Sequence, residues 1–169
     1  MERANRQNLD EISENLDTSE MDGRFLTFWT DGQLFGIPIE DVVQIVGIQK
    51  ITEVPEFPFY AKGIINLRGS IIPLIDVRLR LGKQEAAHNE RTCIIVTNIN
   101  ERFVGFIVDE VDAVIVIDDS LIAEAPKLTG STDSYITGIG KFDGKVVLLM
   151  NIHKIVADEQ LEQLTSATA

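Results

Sequence analysis

A single cysteine, two histidines, one tryptophan and five prolines are spread over 169 residues. One thiol forms no disulfide framework, and Cys93 sits within CIIV, where a buried core thiol is expected. His88 and His153 have no HxxxH spacing or cysteine cluster around them, which removes the usual zinc-ligand patterns. No GxGxxG or Walker-type glycine loop follows a strand pattern, so a phosphate cradle is excluded. No apolar run approaches the length of a membrane span, and the N-terminus lacks an apolar h-region. Cations are also few: 15 Lys and Arg against 27 Asp and Glu give a net charge of −12. That balance disfavours nonspecific nucleic-acid and anionic-membrane binding. Together these absences predict a soluble cytoplasmic protein that uses no cofactor or metal, binds no nucleic acid and does not insert into a membrane.

The charge is uneven. Residues 1–23 hold seven acids against Arg3 and Arg6, and residues 157–169 add −3, leaving only −4 on the body. The first stretch reads as a disordered acidic tail in which Leu9, Ile12 and Leu16 give a weak helical spacing. Order is expected from Phe25 onward, with a folded domain over 24–156 and an acidic helix end or tail over 157–169.

Within that domain the pattern is β. Asp31-Gly32, Arg68-Gly69 and Asp143-Gly144 each join two apolar runs as hairpin tips, and Asn100-Glu101 marks another turn. Asp76 and Asn151 are placed to cap short helices, the second near the C-terminus with Ile152, Ile155 and Val156 on one face. Ser120–Tyr135 reads as a loop. An internal repeat organises the whole: LFGIPIEDV (34–42) aligns with FVGFIVDEV (103–111), and GIINLRGSIIPLIDV (63–77) with GIGKFDGKVVLLMNI (138–152). About five short strands per copy suit a small closed barrel, so the expected fold is mainly β, two packed five-stranded β-barrel lobes with a short C-terminal helix.

Chemistry is sparse. The acidic pairs Glu40-Asp41 and Asp109-Glu110 follow apolar strands and read as solvated turns, since adjacent side chains on an extended chain point apart. A small β-barrel enzyme or ligand carrier using Asp76 and Asp109 is the alternative, and it requires a concave pocket of converging polar groups. Arg68 is the exception in an apolar hairpin, either a solvated turn residue or a contact residue. The second copy carries the easier turn residue, Asp143, at the matching position, which favours contact at Arg68. An apolar surface with a central arginine is a common makeup for an interaction hot spot.

The stretch AKGIINLRGSIIPLIDVRLRL resembles the coupling proteins of bacterial chemotaxis, the CheW family: a glycine-led strand, N-L-R-G, a short apolar run with proline, then D-V-R. GQLFGIPIEDVVQIVG, FVGFIVDEVDAVIVI and YITGIGKFDGKVVLLMNIHKI are similar to its other segments, so the likeness covers roughly 24–156. The resemblance implies two five-stranded barrel lobes and a non-catalytic adaptor. Such proteins join the cytoplasmic tips of chemoreceptors to the regulatory domain of the histidine kinase CheA, in arrays at the membrane. It implies a receptor tip seated between the lobes, with Val42, Val43, Gln44, Gly63, Asn66 and Arg68 as receptor-site residues, the valines also reading as plain core. Pro126, Lys127 and Leu128 are the kinase or ring-contact choice. Gln44 departs from the glutamate often found at its position. A coupling domain of the CheV type, or one serving pili or another output, is the neighbouring reading. The first is disfavoured because no acid-pocket pattern of a receiver domain follows before Ala169.

Overall fold

Four two-residue turns fix the strand registers. Both central residues have φ > 0 at Asp31-Gly32, Arg68-Gly69, Asn100-Glu101 and Asp143-Gly144, as type I′ turns require to match the twist of the flanking strands. The computed structural model describes residues 23–125, 135–156 and Leu164. Within them the first repeat copy forms β1 (Arg24–Thr30), β2 (Gln33–Pro38), β3 (Val42–Gly47), β4 (Ala61–Leu67), β5 (Ser70–Asp76) and the one-turn helix α1 (Val77–Arg80). The second forms β6 (Cys93–Ile99), β7 (Arg102–Val108), β8 (Glu110–Val116), β9 (Ile122–Glu124), β10 (Ile136–Phe142), β11 (Lys145–Met150) and α2 (Ile152–Ile155). Both predicted caps are in place: Asp76 accepts from the Leu79 N–H and Asn151 from the His153 N–H. The three-residue strand β9 lies inside the stretch read as a loop.

The strands form a six-stranded sheet in the order β8-β1-β2-β11-β10-β9 and a five-stranded sheet in the order β3-β6-β7-β5-β4. Neither sheet comes from one copy of the repeat. Each takes a hairpin from one copy, β1–β2 or β6–β7, and the rest of its strands from the other, four in the six-stranded sheet and three in the five-stranded one. The joints are two parallel pairings in matching register, Leu74 beside Gly105 and Leu149 beside Gly36. The paired leucines and glycines of the repeat are thus the places where the copies meet. At Gly105 an added Cβ would stand 2.6 Å from Leu74 Cδ2 and 2.9 Å from Ile94 Cγ2, so a larger residue would displace side chains of the lobe core where β7 lies against β5.

Period-two alternation sends successive residues of one strand into different cores. Leu74 packs with Ile65, Ile94 and Ile107 in a cluster drawn only from the five-stranded sheet. Leu34, Ile115, Val147 and Leu149 form the counterpart in the six-stranded sheet. A core enclosed by a single sheet requires that sheet to curl on itself, the barrel-like lobe expected from the repeat. The neighbouring Ile75 points the other way, into a larger cluster with Phe28, Ile37, Ile95 and Phe106 from both sheets. Burial on both faces explains the unbroken apolar runs CIIV (93–96) and IPLI (72–75). Leu164 is also buried in this shared cluster, and α1 and α2 cap the ends of the parallel strand pairs.

Candidate interaction site

The β4–β5 hairpin carries Arg68 at φ +51 and Gly69 at φ +88. Asp and Asn tolerate the left-handed region through local hydrogen bonds, whereas an unbranched cation has no such help. Here the help comes from a neighbour: Asn66 Oδ1 accepts the Gly69 N–H at 3.0 Å.

Beside this tip lies a depression of about 170 Å³, with Val43, Gln44, Arg68 and Phe103 on its walls and the lobe-core residues Ile72 and Val96 reached at its floor. All of these belong to the five-stranded sheet or its turn. The depression therefore opens on one lobe rather than between the two, where the resemblance placed a docking groove. A register shift between Val42 and Gln44 makes Val43 the extra residue of a bulge in β3, a device that re-aims a side chain. Val43 is 44% exposed, Phe103 43% and Ile71, next to the tip, 44%. Two large apolar side chains half in water beside one cation, Val43 and Phe103, suit a protein contact better than a solvated face.

A second concavity of about 100 Å³ brings together Asp76, Arg78, His88 and Asp109, the converging polar groups that the enzyme alternative requires. The Asp109 carboxylate is already engaged. Arg78 forks onto Asp109, Nε to Oδ1 at 2.8 Å and Nη2 to Oδ2 at 2.6 Å. The Asp31 N–H donates to the same Oδ2 at 2.8 Å. Burial pushes the Asp109 carboxyl up, but the hydrogen bonds from Arg78 and Asp31 and the guanidinium charge together hold it below its usual range. Burial dominates at Asp76 and raises it, opposed by the N–H groups of Leu79 and Arg78 that it caps. Asp109 is thus committed to its ion pair, and Asp76 to the cap of α1. The nearby Cys93 is buried, its thiol pushed up to about 11 by desolvation, which makes it inert. Among the described residues no three His, Cys, Asp or Glu side chains are grouped to hold a metal.

A family model of the CheW-like domain matches residues 24–160. The chain belongs to the CheW-like family. It is 34% identical to the chemotaxis protein CheW of Klebsiella aerogenes over 139 residues, 81% of this chain and 83% of that protein. Against chemotaxis protein CheW of Helicobacter pylori the identity is 31%, covering 79% of this chain and 81% of the other. The crystal structure of scaffolding protein TtCheW from Thermoanaerobacter tengcongensis is similar with a TM-score of 0.74 at 34% identity, over 82% of this chain and 94% of that one. The mainly β architecture read from the repeat is that of the family.

On this CheW-like chain the six residues named from the resemblance separate by what they touch. Val43, Gln44 and Arg68 meet at the depression. Val42 is half-buried against the shared core. Gly63 is buried at φ +140, where an added Cβ would overlap the Thr52 carbonyl oxygen, so its glycine is a backbone requirement. Asn66 is exposed and bonded within the turn. Phe103 completes the surface and was not legible as a surface residue, because an apolar residue opening a strand pattern reads the same whether it faces core or solvent; the exposed Ile71 does not line the depression. Pro126, Lys127 and Leu128 lie outside the described residues. No helix among the described residues is long and apolar enough to cross a membrane.

Proposed function

We propose that this protein is a non-catalytic coupling adaptor that joins the cytoplasmic tips of chemoreceptors to the regulatory domain of the histidine kinase CheA in arrays at the membrane. The observation that carries this reading is the Arg68 tip: a cation held in a costly backbone conformation next to a half-exposed apolar surface of Val43 and Phe103. A helical receptor hairpin lays one apolar stripe against Val43 and Phe103, and a carboxylate or carbonyl of the hairpin accepts from the Arg68 guanidinium. Gln44, uncharged where relatives often carry glutamate, adjusts which receptor is preferred without removing the contact. Val42 and Gly63 belong to the site as its support. The kinase contact at Pro126, Lys127 and Leu128 is a separate surface, and residues 1–23 and 157–169 flank the coupling domain of 24–156.

The test is calorimetry of the purified protein against a receptor cytoplasmic hairpin and, separately, the kinase regulatory domain. Binding to both, with Arg68→Glu losing the receptor and keeping the kinase, is the expected result. Binding to neither removes the adaptor reading.

A further inference from the structure

We propose that Asn66 is a positioning residue for Arg68, acting on the partner only through the turn it holds. The inference rests on the receptor reading for what Arg68 touches, and on this structure alone for how Arg68 is held. Three observations carry it. Asn66 Oδ1 accepts the Gly69 N–H at 3.0 Å, closing the turn from the residue before the two-residue loop's own flank. Asn66 is exposed yet does not line the depression that Arg68 enters. And the repeat shows an exchange of duties: Asn66 and Arg68 align with Lys141 and Asp143.

In the second copy Asp143 at φ +52 supplies a short polar side chain suited to the left-handed region, and position 141 is free to carry a lysine. In the first copy the turn position has been given to a long cation that cannot stabilise its own backbone. The acceptor that serves this turn stands two residues upstream of Arg68, at Asn66. The other tips, Asp31-Gly32 and Asn100-Glu101, also begin with Asp or Asn. Arg68 is the one first tip residue of the four without the short polar side chain that suits positive φ, and Asn66 supplies a hydrogen bond to its turn instead. A guanidinium on a turn that samples other conformations presents its fork in many directions, and a bidentate contact needs one.

The experiment compares Asn66→Ala and Asn66→Asp in the full chain, each alone and with Arg68→Ala. In the free protein, NMR reads the strong intraresidue HN–Hα NOE that positive φ gives at Arg68, and hydrogen exchange reads the Gly69 amide. Asn66→Ala is expected to weaken both; Asn66→Asp, which keeps the acceptor, is expected to retain them. Receptor-hairpin affinity should fall about fivefold in Asn66→Ala, the size of one lost hydrogen bond, and stay level in Asn66→Asp. With Arg68→Ala already present, Asn66→Ala should change affinity by less than about twofold. An unchanged Arg68 NOE in Asn66→Ala overturns the proposal, as does an equal loss of affinity with and without Arg68. If the wild-type chain binds no receptor hairpin, the receptor reading falls and the NMR comparison alone decides whether Asn66 holds the turn.

Discussion

Arg68 carries two opposed demands. Its φ of +51 disfavours any residue with a straight side chain, while the guanidinium is the only fixed charge lining the apolar depression. A residue kept against its backbone preference is retained for what it contacts. Two predictions belong here. Arg68→Glu is expected to weaken receptor-hairpin binding by about 1–3 kcal/mol with the fold intact, because the charge is reversed at the centre of the contact. Calorimetry with a thermal melt checks both halves, and unchanged affinity in a folded variant would remove Arg68 from the site. Arg68→Asn is expected to do the opposite to stability: the turn gains a residue that tolerates positive φ, adding about 0.5–1 kcal/mol while affinity is lost. Denaturant unfolding measures it. A variant less stable than wild type would mean that Arg68 makes a stabilising contact of its own.

One element scale up, the D-V-R segment closes a parallel strand pair. Asp76 ends β5 and caps α1, and Arg78 on that helix reaches Asp109 just past the end of β7. Because β5 and β7 run side by side in the same direction, their ends coincide, and the helix base meets the acid of the chain crossing from one sheet to the other. Arg78 also lies 3.3 Å from Asp31, on the β1–β2 turn of the other sheet. The second copy repeats the device in weaker form: Asn151 caps α2, and His153 Nε2 lies 3.3 Å from Asp41 Oδ1 past the end of β2. The pH consequence follows from the direction at Asp109. Its carboxyl is held below its ordinary 3.8, so the stabilisation is present above about pH 4 and is lost as pH falls through the lowered value. Asp76, raised by burial, works in the other sense, its ionised form costing stability as pH rises through its value. In Arg78→Met the Asp109 carboxylate stays partly buried without its cation and its value rises. The stability gap between wild type and Arg78→Met is therefore expected to be widest near neutral pH and to close below about pH 4. Urea midpoints across that range test this, and a gap that stays constant would assign the loss to packing. How much of this was legible follows the range of the interactions. The D-G turns and both helix caps could be read because turn and cap chemistry is local. Asp109 was read as a solvated turn residue because its partner lies 31 residues away, and no neighbouring residue announces it. The exchange of hairpins between sheets was equally hidden: the repeat reveals two copies but not that β8 pairs with β1 and β3 with β6.

At the scale of the molecule the two copies meet around Arg80. Tyr60 and Tyr135 are equivalent in the repeat, and each carbonyl accepts from the capping residue of its own helix, Asp76 N–H and Asn151 N–H, at 2.8 Å. The Arg80 guanidinium lies between their rings, its Cζ 4.9 Å from one centroid and 4.6 Å from the other. Its Nε donates to the Ile155 carbonyl at 2.8 Å, and Ile155 is the residue that aligns with Arg80 itself. On a two-fold axis equivalent side chains compete for the same space, so only one copy supplies the long one. A single cation thus bridges a tyrosine leading into the five-stranded sheet, a tyrosine leading into the six-stranded sheet, and the closing helix. Replacing it with Met keeps much of the volume but removes two cation–π contacts and a charged donor, and is expected to cost about 2–4 kcal/mol. The form of the unfolding curve is as informative as its midpoint. Since each lobe takes strands from both copies, neither copy can unfold without dismantling both sheets, and neither lobe can unfold without opening the core shared between them. Arg80→Met is therefore expected to shift the urea midpoint downward with one transition and an unchanged slope. A biphasic curve in the variant would mean that the lobes hold together through Arg80 itself and that strand exchange alone leaves them separable.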